Sequence, residues 1–208
     1  MAPARPSLRA IDDAPPYAVR SGADDDLWPG RAEPRIERRR LAILAADIVG
    51  YCRHVERDDI DTALRLRRLR RQLLFPVAQE HGGWVAESIG DCTLMAFTEP
   101  AQAVSCAIAI RRKLARLERD SPEDQRLELR MGVSVGGVIF VDGELFGQPV
   151  NVAARLAALA GVGETYLTEP TLIDGQAPAA CEALGERTLR NIATPVRVYR
   201  VADGDGAA

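Results

Sequence analysis

Leu41-Ala-Ile-Leu-Ala-Ala-Asp47 is six apolar residues running straight into a carboxylate, which reads as a buried strand ending at a turn. Further on, Ser88-Ile-Gly-Asp91-Cys92 sets a second aspartate at the bend between two strand-like runs, Trp84–Ile89 and residues 93–97. The segment between them predicts a helix over 59–79, with Leu64, Leu66, Leu69, Leu73 and Leu74 on its apolar side and Pro76 near its end. His81-Gly-Gly closes that helix. After the hairpin, Ala103, Ala107, Ile110 and Leu114 recur at helical spacing over Pro100–Leu117, and a polar stretch, 120–125, leads to a long strand over 127–135. The order is βαββαβ, an α+β chain of the ferredoxin-like kind. In that topology the first and third strands are antiparallel neighbours, so Asp47 and Asp91 converge. Paired acids on strand ends can hold divalent cations against a nucleoside triphosphate.

A C-terminal extension follows the core. It reads as a strand over 138–141, an Asp142-Gly143 turn, a helix beginning near Pro149, and short strands over 164–167, 188–192 and 196–201. Asn151 and Arg155 stand four residues apart, so an amide and a guanidinium share one face of that helix, while Val152, Leu156 and Leu159 form its buried stripe. An arginine so presented can stabilise charge building on a transferring phosphorus, and an amide can fix a sugar oxygen.

The 208 residues, 47% of them apolar, suffice for one domain with a real core. Prolines and the run Asp24-Asp-Asp26 make residues 1–36 read as a disordered arm, 37–202 as the domain and 203–208 as a frayed tail. A net charge of -3 gives no global reason to bind nucleic acid, and the arginines at 38–40 and 65–71 read as solvated faces. The four cysteines lack CxxC spacing, so they read as reduced thiols of a cytoplasmic protein. No apolar run is long enough for a membrane span. His54 and His81 read as structural.

With these residues placed, the chain from about 39 to 201 resembles the catalytic domain of class III adenylate/guanylate cyclases, of the soluble bacterial kind. The resemblance is carried by Asp47-Ile-Val-Gly-Tyr51, Glu87-Ser-Ile-Gly-Asp91, Met131-Gly-Val-Ser-Val-Gly136, Phe146-Gly-Gln-Pro-Val-Asn151-Val-Ala-Ala-Arg155, and Leu189-Arg-Asn-Ile-Ala-Thr-Pro-Val-Arg-Val-Tyr199, in that order. It implies the nucleotide cyclase fold and a homodimer with shared active sites. Asp47, Asp91 and the carbonyl of Ile48 would hold two Mg2+ or Mn2+ ions per site. Asn151 of the other copy would orient the ribose, its Arg155 would stabilise the α-phosphate, and Arg190 would reach the triphosphate. The substrate would be ATP or GTP.

The base pocket departs from the pattern. Glu87 stands where the family's adenylate cyclases carry a lysine and its guanylate cyclases a glutamate. Glu144 stands at the second base-reading position, where the adenylate cyclases tend to carry aspartate or threonine and the guanylate cyclases a small residue, so the two signals disagree. An ionised Glu87 matches the N1-H and 2-amino donors of guanine, whereas a proton shared between the two acids would admit either base. A non-catalytic or weakly active nucleotide-binding dimer is the alternative implied by that departure.

Overall fold

The computed structural model describes residues 36–141, 144–172 and 180–202. The expected arm, the frayed tail and the Asp142-Gly143 turn lie outside these, save for Ile36 at the arm's end. Strand β1, Ile36–Ile48, is the spine of the sheet. It is followed by a short helix α1, Tyr51–Arg57, and by α2, Asp59–Leu69, whose N-terminus is capped by the Asp58 side chain accepting from Asp61 N-H at 2.9 Å. A wide π turn, Arg70–Leu74, leads without a break into α3, Phe75–Glu80. The hairpin β2, Trp84–Ile89, and β3, Cys92–Phe97, precedes α4, Pro100–Leu117. Then come β4, Leu129–Val141, β5, Glu144–Phe146, α5, Gln148–Leu159, β6, Thr165–Thr168, β7, Cys181–Arg187, and β8, Val196–Val201.

The strands form one sheet in the order β2-β3-β1-β4-β6-β8-β7, with β5 paired to β4. Its first four members have the ferredoxin-like arrangement expected from the sequence, all antiparallel, while β6 joins β4 in parallel. Alternation along β1 sorts its side chains onto two faces. Ala42, Leu44, Ala46 and Ile48 pack with α2, α3 and α4, whereas Leu41, Ile43 and Ala45 pack with Ala153 and Ala157 of α5. Asp47 continues the second set, so it lies on the α5 face.

Several expectations are corrected. The strands expected at 127–135 and 138–141 are one continuous β4, because β1 pairs with it from Ile36 to Ile48 without a break. Residues 188–192 form a turn and the strand precedes it as β7, since Leu189 is drawn inward against Val152, Leu156 and Val198. Leu64 is 51% exposed, and Leu159 is 44% exposed, so neither belongs to a buried stripe. Helix α1 and strand β5 were not foreseen, each being too short for a periodic signal.

Candidate active site

Asp47 ends β1 and Asp91 occupies the β2–β3 bend. The register that sets Ala46 opposite Thr93 brings the two carboxyl groups into hydrogen-bonding contact. Asp91 is held above the usual aspartate range, first by burial, then by the charge of Asp47 and the hydrogen bond between them, with Arg130 opposing. Cys92 beside them is pushed up to about 11 by burial and by the same two acids, so it stays a thiol. The Ile48 side chain is buried on the opposite face, which leaves only its main chain near the acids.

Arg130 grips Asp47 from the neighbouring strand, with Nη2 at 2.7 Å and Nε at 2.8 Å from Oδ2. Its Nη1 donates to the Ala158 carbonyl of α5 at 3.0 Å. One guanidinium thus ties the β1 acid to the helix that carries Asn151 and Arg155. Sequence reasoning missed this residue. The signal was the β1–β4 register, in which Asp47 faces Arg130, and an isolated sequence does not print a register.

Asn151 and Arg155 are exposed on α5 and line a second place, an open cavity of about 580 Å³. Arg190 and Asn191 close it from the turn after β7. Buried Leu189 anchors that turn, and Asn191 takes the left-handed conformation at φ 62° to complete it. Among the described residues no acid lines the cavity, and its two guanidiniums give it positive charge. Asp47 and Asp91 are absent from it. A single chain therefore presents two separate sets, one of paired acids and one of an amide with two guanidiniums.

Glu87 follows a bulge in β2 and pairs with Leu94, which puts it on the α5 face, where its charge adds to those raising Cys92. Glu144 begins β5 and is exposed. Strands β2 and β5, which carry these two glutamates, approach one another. His81 bonds the Val77 carbonyl through Nδ1 at 2.9 Å, and burial with three nearby arginines lowers His54; neither reaches the acids.

Among the described residues, no three His, Cys, Asp or Glu side chains gather as a metal-ligand group. The donors at Asp47 and Asp91 nevertheless fit Mg2+ or Mn2+. Two carboxylates and a main-chain carbonyl are hard oxygen ligands, few enough that phosphate and water complete the shell. Their mutual repulsion is the kind that a cation relieves.

No family model matches the chain. It is 34% identical to a solved adenylate/guanylate cyclase/hydrolase from Silicibacter pomeroyi, with a TM-score of 0.75 over 81% of this chain and 99% of that one. It is 37% identical over 178 residues to a Rhizobium meliloti protein provisionally named adenylate cyclase 3, covering 85% of this chain and 30% of that protein. The adenylyl cyclase CyaB from P. aeruginosa, 24% identical, has the same fold at a TM-score of 0.73, over 84% of this chain and 99% of that one. The chain spans about a third or less of the length of the first curated relatives it matches. No helix among the described residues is long and apolar enough to cross a membrane.

Proposed function

The chain belongs to the class III adenylate/guanylate cyclase catalytic domains of the bacterial type, and on that premise we propose that it converts a nucleoside triphosphate to its 3′,5′-cyclic monophosphate and pyrophosphate, at sites shared by two copies. The observation that carries the proposal is the division of the groups within one chain. Paired acids and a cationic cavity are both present and do not line a common pocket. Two copies placed head to tail would complete each set with the other.

Two magnesium or manganese ions, when bound, would acidify the ribose 3′-hydroxyl and neutralise charge on the phosphates. Asp47, Asp91 and the Ile48 carbonyl would hold them. Asn151 of the second copy would fix the ribose so that its hydroxyl lies in line with the α-phosphorus, and Arg155 beside it would meet the charge that builds there. Arg190, across the same cavity, would clamp the leaving pyrophosphate through its forked donors. Glu87 on the α5 face would accept from the base, which favours guanine or admits both purines. A cytoplasmic location suits this substrate and the free thiols.

The test is cyclic nucleotide formation by purified protein given ATP or GTP with manganese, beside Asp47→Ala. Turnover by wild type, with use of GTP, and a loss of at least about a hundredfold in the variant are expected. Equal signals from the two proteins would sink the proposal. The Glu87 and Glu144 pair favours one other reading, a nucleotide-binding dimer without efficient turnover. In that case the same preparation binds nucleotide and forms no cyclic product.

A further inference from the structure

Taking Asp47 and Asp91 as the cation-holding acids, we propose that Arg70 is a positioning residue for Asp91, aimed at the β2–β3 bend by the π turn that it opens. The helix widens at Arg70–Leu74, where the Phe75 N-H reaches back five residues to the Arg70 carbonyl. Pro76 accounts for this locally. It has no N-H to donate, and its ring crowds the carbonyl four residues earlier, so a regular α turn cannot be built through it.

Arg70 is thereby brought against the hairpin. Its Nε donates to Thr93 Oγ1 at 3.1 Å, and its Nη2 donates to the Cys92 carbonyl at 3.3 Å and to the Gly90 carbonyl. These acceptors bracket Asp91, with one main-chain oxygen before it, one after it and a buried hydroxyl beyond. The guanidinium is half-buried and forms no salt bridge among the described residues, so main-chain carbonyls replace its water. Arg67 and Arg71 on the same helical stretch stay exposed and make no such contacts, which sets Arg70 apart from a solvated arginine face.

The bend has little else to hold it. A Cβ at Gly90 would meet nothing within 4 Å, Ile89 is 60% exposed, and Gly90 takes a φ of +55° that packing does not enforce. The Asp91 carboxyl group itself meets Asp47 and its own main-chain N-H, and the main chain that carries it is held on both sides by the Arg70 guanidinium.

The experiment uses the full chain with Arg70→Ala, Arg70→Lys and Thr93→Val, and reads three quantities. These are Mn2+ binding followed by the electron paramagnetic resonance of free Mn2+ with a non-hydrolysable ATP analogue, amide exchange at residues 90–93, and the midpoint of thermal unfolding. Arg70→Ala is expected to need on the order of tenfold more Mn2+ for half-saturation and to lose protection at 90–93, with the α4 amides unchanged. Arg70→Lys should recover only part, because one ammonium cannot reproduce the fork. Thr93→Val, which removes one acceptor of the three, should show a smaller change of the same sign. Mn2+ affinities of Arg70→Ala and Arg70→Lys within twofold of wild type would overturn the proposal, even if both unfold at lower temperature. Should Arg70→Ala not fold, the lysine and valine variants carry the comparison. Asp91→Asn is the reference. If it binds Mn2+ like wild type, the cation reading has failed, and amide exchange alone then decides whether Arg70 holds the bend.

Discussion

Asp91 is kept at a cost to the fold. Burial and the neighbouring Asp47 both favour its protonated form. A carboxyl group whose pKa is raised by folding adds stability that is complete below its unfolded pKa and is lost as pH climbs through the raised value. At neutral pH that contribution is gone, and the ionised group strains the hairpin. Asp91→Asn should therefore raise the unfolding midpoint at pH 7 by roughly 1–3 °C, with a gain that shrinks as pH falls into the acid range, while cation binding is lost. Calorimetry at several pH values checks this, and a lowered midpoint at pH 7 would contradict it. The trade is the usual one at a site that holds like charges together.

At the scale of elements, the placement of α5 depends on one missing side chain. The helix lies so close to β4 that a Cβ on Gly132 would sit 2.3 Å from the Ala153 carbonyl oxygen and 2.5 Å from the Ala157 nitrogen. Those are backbone atoms and cannot turn aside. Gly132→Ala should push α5 off the sheet, costing about 1–3 kcal/mol in urea unfolding and lowering turnover more than nucleotide binding, because Asn151 and Arg155 ride on the displaced helix. Unchanged stability with normal kinetics would show that α5 can shift without consequence. The small residues Ala45, Ala153 and Ala157 on the same contact serve the same close approach.

For the whole molecule, the proposed sharing of sites between two copies would make activity a property of pairs. Asp47→Ala and Arg155→Ala should each be inactive, yet mixing them in equal amounts under conditions of exchange should restore about a quarter of wild-type turnover. Half the dimers are then mixed, and each mixed dimer keeps one intact site of two. A mixture as inactive as its components would mean that both sets serve one chain. Arg130 adds a link within each chain, since it spans from Asp47 to α5 and, in the proposed dimer, would join a group of one site to the helix that serves the other.

The continuous apolar run 41–46, the helical spacing of Ala103, Ala107, Ile110 and Leu114, and the aspartates at the strand end and bend were enough to order the first four strands and bring Asp47 to Asp91. Such patterns are local, and the antiparallel pairing that follows from them allows few other arrangements. The grouping of Asn151 with Arg155 was equally legible, because a step of four residues is just over one helical turn. What the sequence could not carry depended on contacts between distant segments. The π turn exists because Pro76 obstructs its own helix, and the use of Arg70 appears only when the hairpin is alongside. Arg130 opposite Asp47, and the turn that brings Arg190 to Arg155 in place of the expected strand, were likewise decided by register and by the burial of Leu189. Local periodicity chose the elements, and long-range packing chose which side chains meet.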